Sequence, residues 1–247
     1  MISTLADHRD RRPAEGVRVR VLVWNLFHGR AVPPAGRGLL SEFAGLIARW
    51  EWDVALLQEV PPWWAAPLAR GAGAEQRAAL TSRNALLPVR RALAARRPDL
   101  MKSNGGGANA VLARSPIASH RAVRLRISPE RRVAQMVRLA SGPCLVNYHA
   151  STTPRRATEE LARIWELALP WARDAPLVVG GDLNLRTPRA PSPTIAHVAT
   201  RDVDHVFVRG LVADAPTQQP ARSMRQPGGT HELSDHPPLI VSLASPT

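Results

Sequence analysis

The sequence predicts an α/β fold of layered β-sheets flanked by helices, built as one domain. Short apolar or alternating runs that read as strands outnumber the amphipathic helices. Two strongly alternating runs, residues 121–127 and 132–139, are joined by Ser128-Pro129-Glu130 and read as an antiparallel hairpin. No repeat and no linker-like stretch divides the 247 residues, a length that suits one large domain or two small ones.

Residues 1–17 are polar and charged and are expected to fray, with the folded domain over 18–247. Residues 18–24 set Val19, Val21 and Val23 against Arg18, Arg20 and Leu22, a strand with Asn25 at its end. Residues 40–50 place Phe43, Leu46, Ile47 and Trp50 at helical spacing. Residues 53–58 form a second buried strand, which ends at Glu59 and is stopped by Pro61 and Pro62. The interval 62–104 carries the weakest pattern. Trp63 and Trp64 open a short helix, and Arg90, Arg91, Arg96 and Arg97 lie on another that Pro98 ends. Those arginines read either as a solvated face or as one wall of a groove for a polyanion. Gly105-Gly106-Gly107 then lead a strand over 108–114. After the hairpin, a strand over 144–148 carries His149 at its end. Thr153 caps a helix with Pro154 at its first position and an apolar face of Leu161, Ile164, Trp165 and Ala168. Further strands precede Gly180 and cover 203–208 and 238–243.

Composition narrows the class. The hydrophobic share of 45 % marks a globular chain. The single cysteine, Cys144, excludes an internal disulfide and a cysteine zinc cluster. The first residues lack the apolar core of a signal peptide, and no run approaches the ~18 apolar residues of a membrane span, so a cytoplasmic protein is expected. The net charge of +13 would attract polyanions. Every basic residue except Lys102 is arginine, in a chain rich in Ala and Pro, which also fits the codon bias of a GC-rich genome.

Residues 177–188, LVVGGDLNLRTP, carry the most chemistry. Leu177-Val178-Val179 reads as a buried strand, and Gly180-Gly181 as a place where the backbone turns without steric penalty. In extended chain Asp182 and Asn184 face one space while Leu183 points to the core. A carboxylate beside a carboxamide offers oxygen ligands to a hard cation and an N–H to a phosphate oxygen. Other polar sets stand at strand ends in the same way. They are Asn25 after VLVW, Glu59 after ALLQ, His149 after LVNY, Asp204-His205 between Val203 and Val206, and Asp235-His236 before PPLIVSL. Polar groups gathered at one sheet rim make a site.

The stretches WNLFHG, LLQEV, GGGANAVLAR, NYHAS, GGDLN, DVDHVF and LSDHPPL, in this order, resemble the endonuclease/exonuclease/phosphatase superfamily, the deoxyribonuclease-I-like proteins. The resemblance runs from about Val19 to Leu243. It implies a four-layered α/β sandwich of two packed mixed β-sheets with helices outside, and Mg²⁺- or Mn²⁺-dependent cleavage of a phosphoester. By motif, Glu59 corresponds to the principal metal carboxylate, with Asn25 and Asp235 as its neighbours at the metal. Asp182 and Asn184 resemble residues that position the nucleophile and contact phosphate. His236 is similar to the catalytic histidine and Asp204 to the acid that orients it. His149 corresponds to a second histidine, a phosphate ligand or general acid, and Asn109 to a polar residue that touches phosphate.

Elementary chemistry agrees with those roles. An anionic diester repels hydroxide, so its charge must be masked, and Mg²⁺ is held by few protein carboxylates. The attacking water must lose a proton, and histidine titrates nearest neutrality. Base and acid stay open between Asp182 and His236. The interval 60–104 is alanine- and arginine-rich and matches no subfamily, which leaves the substrate open. The leading expectation is a nuclease acting on DNA or RNA. The alternatives are a phosphatase or phospholipid-type phosphodiesterase, for which Trp63-Trp64 is the one candidate apolar loop, and a non-catalytic nucleic-acid-binding module.

Overall fold

A computed structural model describes residues 16–81, 84–96, 99, 107–227 and 229–246. One six-stranded sheet runs in the order β12 (Val212–Ala213), β15 (Leu239–Ala244), β1 (Arg18–Asn25), β3 (Val54–Val60), β5 (Ala108–Ala113), β4 (Glu75–Leu80). The other runs β10 (Ala196–Arg201), β11 (Asp204–Arg209), β9 (Leu177–Asp182), β8 (Cys144–His149), β7 (Arg132–Leu139), β6 (Ile117–Arg126). A small third sheet joins β13 (Ser223–Gln226), β14 (Gly229–Leu233) and β2 (Ala31–Val32). The helices are α1 (Leu40–Arg49), α2 (Ala65–Gly71), α3 (Leu87–Arg96) and α4 (Pro154–Ala172).

The alternation read from the sequence sorts side chains into three cores. Val19, Val21 and Val23 of β1 face inward with Leu56, Val111, Val137, Leu145, Val178 and Val206, and close the two large sheets on each other. Leu22 and Trp24, one step out of phase, face the other way and pack under α1 and α2 with Phe43, Ile47 and Leu68. On the far side α4 sets Leu161, Ile164, Trp165 and Ala168 over Val146, Val179 and Phe207. The layers are therefore helix, sheet, sheet, helix, an α/β sandwich.

Strand direction builds the rim. In the first sheet β1 and β3 are parallel, with Asn25 opposite Gln58. In the second, β8 and β9 are parallel, with His149 opposite Asp182. β11 runs back antiparallel, so that its first residue, Asp204, lies opposite Asp182. β15 starts opposite Val23 of β1, and the segment before it brings Asp235-His236 to the same edge.

Several expectations change. Gly180 and Gly181 do not turn the chain, because both lie inside β9. They are there for close approach: a Cβ on Gly181, whose φ is +142°, would stand 1.9 Å from the Tyr148 carbonyl oxygen. Asn184 is not extended but left-handed (φ 48°), so its side chain reaches the space near Asp182 by a turn, while Leu183 is buried in the core as expected. The interval 62–104 holds the strand β4 besides its two helices, α2 starting at Ala65 just after the tryptophan pair. α3 has no buried residue, in keeping with a solvated face, and Arg97 and Pro98 lie outside the described residues. Thr153 occupies the N-cap of α4 with Pro154 next, but its hydroxyl makes no capping bond. Of the frayed end expected over 1–17, residues 1–15 lie outside the described residues, as do Gly105-Gly106 of the glycine-led strand, while Val17 is tied down, its N–H donating to Ser245 Oγ (3.0 Å) and its carbonyl accepting from Ser245 N–H (2.8 Å). Among the described residues no helix is long and apolar enough to cross a membrane.

Candidate active site

The rim brings together Asn25, Glu59, His149, Asp182, Asp204 and His236. The pivot is Asp182, almost wholly buried at the end of β9. Its Oδ2 accepts from Asn25 Nδ2 (2.9 Å) and lies 3.4 Å from His149 Nε2 and 3.9 Å from His236 Nε2. Its Oδ1 accepts from the Asn184 backbone N–H (3.1 Å). One carboxylate thus touches β1, β8 and the segment before β15.

His236 is held from two sides. Its Nδ1 bonds Asp204 Oδ2 at 2.8 Å, which directs Nε2 toward Asp182. Its backbone N–H donates to Ser234 Oγ, whose hydroxyl donates to the Asn25 carbonyl at 2.6 Å, and the Trp24 indole donates to the His236 carbonyl. Asp182, Asp204 and His236 form a group whose donor atoms lie within 4.8 Å of one another. Burial opposes a charged His236, but the bond and charge of Asp204, then the charges of Asp182 and Asp235, prevail and raise it to about 9. Burial pushes Asp204 up to about 6 against that same bond. His149 goes the other way: burial, and then the charges of Arg132, His28 and His236, hold it neutral, well below the ordinary histidine range.

Glu59 sits on a left-handed residue (φ 49°) at the end of β3. Burial, then the charges of Asp182 and Asp235, raise it to about 7. That crowding is the test for a cation. Carboxylates that oppose one another's ionisation lack positive charge, and hard oxygen donors from Glu59, Asp235 and Asn25 suit a divalent ion such as Mg²⁺ or Mn²⁺. Asn25 Oδ1 already accepts from Phe27 N–H (2.9 Å) and keeps a second lone pair. Asp235 is the exposed member of the set. The donor set fits the metal.

The remaining two expected residues stand differently. Asn184 Nδ2 donates to the Ala150 carbonyl (3.0 Å) and so ties the segment after β9 to that after β8. Asn109 is fully buried in the wall near Glu59, one residue past Ala108, which pairs with Val60. Its Nδ2 donates to Val133 O (2.9 Å), and its buried Oδ1 has no hydrogen-bond partner among the described residues.

The structure adds groups that the sequence reading did not single out. His28 Nε2 lies 3.0 Å from Glu59 Oε2. Gln58 donates to Asn147, which donates to Gln135 and to the carbonyls of Leu57 and Ala110, a buried polar belt joining both sheets behind the site. Glu160 of α4 accepts four hydrogen bonds, from Tyr148 OH, Ser151 N, Ser151 Oγ and Arg126 Nε, and so fixes the chain on both sides of His149. A glutamate on the apolar face of a helix was the available signal for the last of these.

A model of the Endonuclease/Exonuclease/phosphatase family matches residues 22–236. No curated protein matches the sequence. An endonuclease/exonuclease/phosphatase family protein from Bacteroides thetaiotaomicron superposes with a TM-score of 0.72 at 14 % identity, covering 94 % of this chain and 100 % of that one. An endonuclease/exonuclease/phosphatase from Beutenbergia cavernae gives 0.68 at 18 %, covering 92 % and 72 %. TDP2 from Caenorhabditis elegans gives 0.68 at 16 %, covering 94 % and 76 %. These likenesses carry the fold, while the family model spans most of the chain and every rim residue from Asn25 to His236: the chain belongs to the endonuclease/exonuclease/phosphatase family.

Proposed function

We propose that this protein is a Mg²⁺- or Mn²⁺-dependent phosphodiesterase that cleaves DNA or RNA by in-line attack of water. Members of its family are generally hydrolases of phosphoester bonds. The observation that carries the reading is the His236–Asp204 pair at 2.8 Å, with His236 Nε2 aimed at buried Asp182. A structural core has no use for a histidine held between two buried carboxylates. Glu59, Asp235 and Asn25 would hold the cation, which when bound masks the ester's charge and stabilises the leaving oxyanion.

The chain's own groups divide the rest. Asp204 fixes the His236 tautomer with Nε2 facing the reacting space. Held at about 9, His236 keeps its proton through neutrality, which suits a proton donor or a clamp on the phosphate; as a base it needs the field of Asp182 and Asp235 offset. Asp182 is the competing base. His149, neutral and 3.4 Å from Asp182, is a donor for a phosphate oxygen. The net charge of +13 supports a polyanionic substrate. The tryptophan pair that a lipid substrate would have used is not an exposed loop, since Trp64 is buried and Trp63 packs against the same core.

Hydrolysis of bis(p-nitrophenyl) phosphate and of p-nitrophenyl phosphate, in Mg²⁺ and in EDTA, tests the reaction class. The diester should be cleaved, only with metal, and His236→Ala should lose that activity. Preference for the monoester would move the chain to the phosphatases, and undiminished cleavage in EDTA would remove the metal.

A further inference from the structure

We propose that His28 is a positioning residue for Glu59: its imidazole Nε2 stands against the carboxylate and fixes the orientation in which Glu59 meets a divalent cation. The inference rests on the reading of Glu59 as a metal carboxylate. His28 Nε2 and Glu59 Oε2 are 3.0 Å apart, with side chains 11 % and 18 % exposed. The other imidazole near this carboxylate, His149, is 4.0 Å from Oε1, beyond a hydrogen bond. One oxygen therefore stands against His28 and the other lies on the side of His149.

The backbone shows that this contact is built. Phe27, His28 and Gly29 are all left-handed, with φ 48°, 54° and 76°, and Glu59 is left-handed as well. Consecutive non-glycine residues in that region persist only where the surroundings over-determine them, and they cluster at functional sites. Each constraint is visible here. Leu26 N–H donates to the Gln58 carbonyl (2.9 Å), which ties the turn to the residue before Glu59. Phe27 N–H donates to Asn25 Oδ1, and Gly29 N–H to Leu26 O (2.8 Å). Gly29 lies against the Trp64 ring so closely that a Cβ would come within 2.3 Å of it. The His28 ring packs over Gly107, where a Cβ would stand 3.4 Å from its Cε1. The turn is thus pinned at both ends, and the side chain it presents is directed at Glu59. Outer polar partners orient ligating carboxylates, and their loss typically lowers metal affinity about 10–100-fold.

The test is Mn²⁺ binding by calorimetry to the EDTA-stripped full chain, followed by removal of the chelator, with thermal unfolding recorded for every variant. His28→Asn keeps a residue that tolerates the left-handed turn but is too short to reach Glu59. His28→Gln restores a donor at greater reach. His28→Asn should bind Mn²⁺ about 10–100-fold more weakly than wild type with little change in unfolding, and His28→Gln should recover part of the loss. Glu59→Gln should lose binding altogether. If Glu59→Gln fails to bind while His28→Asn binds within about threefold of wild type, the positioning role is overturned and the metal carboxylate stands. Equal loss in the Asn and Gln variants would show that the turn's shape matters and the polar contact does not, which also overturns it. Wild-type binding by Glu59→Gln would instead remove Glu59 from the metal, and with it the basis of the inference.

Discussion

Gly181→Ala perturbs the place where the fold and the site are joined most tightly. The added Cβ would meet the Tyr148 carbonyl oxygen at 1.9 Å and its carbon at 3.0 Å, on a residue whose φ is +142°. Backbone cannot rotate away as a side chain can, so β8 and β9 must part by more than about an ångström to restore ordinary contact. Overpacking of this kind costs about 1–3 kcal/mol, and the forbidden φ adds about 1–3 kcal/mol. A loss of about 2–6 kcal/mol follows, a large part of the roughly 5–15 kcal/mol that holds a domain together. For a chain of this size that lowers Tm by on the order of 10 °C. Gly180→Ala is the matched control. There a Cβ would meet Leu56 Cδ1 at 3.2 Å and the His205 carbonyl at 3.3 Å, so relief is easier and the loss should be only about 1 kcal/mol. The two variants also separate in function, since Tyr148 and Gly181 are register partners one step from His149 and Asp182. A 1 Å displacement between those groups should cost about 10²-fold in rate. Thermal unfolding by circular dichroism in EDTA reads the first effect and diester hydrolysis the second. The reasoning fails if Gly181→Ala melts within about 3 °C of wild type, or no lower than Gly180→Ala.

Other expectations can be checked on the same protein. Glu160→Ala strips the acceptors from Tyr148, Ser151 and Arg126 in a buried setting and should cost about 3–5 kcal/mol by urea unfolding; a loss under about 1 kcal/mol would mean that the clamp is ornamental. Burial, with the charge of His197, holds His205 down to about 4, so the unfolded chain binds the extra proton first. That contribution is fully present above about pH 6.5 and is lost as pH falls toward 4, with a limit of about 3 kcal/mol. His205→Gln, which keeps a donor for Leu185 O, should flatten the acid side of the stability curve between pH 6.5 and 4, and an unchanged curve would place the His205 proton elsewhere. Asp204→Asn removes the charge that orients His236 and should lower kcat by about 10²-fold or more with little effect on KM; a pure rise in KM would assign Asp204 to substrate binding.

Much of this was legible in the chain because buried central strands write their own pattern. β1, β8 and β9 carry apolar runs that only a doubly covered sheet explains, and each delivers its polar residue at the strand's end. β4 and β10 were not legible, because edge strands that are mostly exposed have no apolar face to reveal them. The glycine pair was visible, but its purpose was not: a strand-to-strand approach of one backbone on another leaves no mark beyond the missing side chain. His28 was hidden for a related reason, since its role depends on a left-handed turn packed on Trp64, 36 residues away. The pairing of Asn25 with Asp182 needed both sheets in place.

The most direct test of the central claim is nicking of supercoiled plasmid in Mg²⁺ by wild type and by Asp182→Ala purified in parallel, which controls for contaminating nucleases. The account predicts that wild type converts supercoiled to open-circular DNA, that EDTA stops it, and that the Asp182 variant leaves the plasmid intact. Equal nicking by both proteins, or by neither, would contradict a metal-dependent nuclease centred on Asp182.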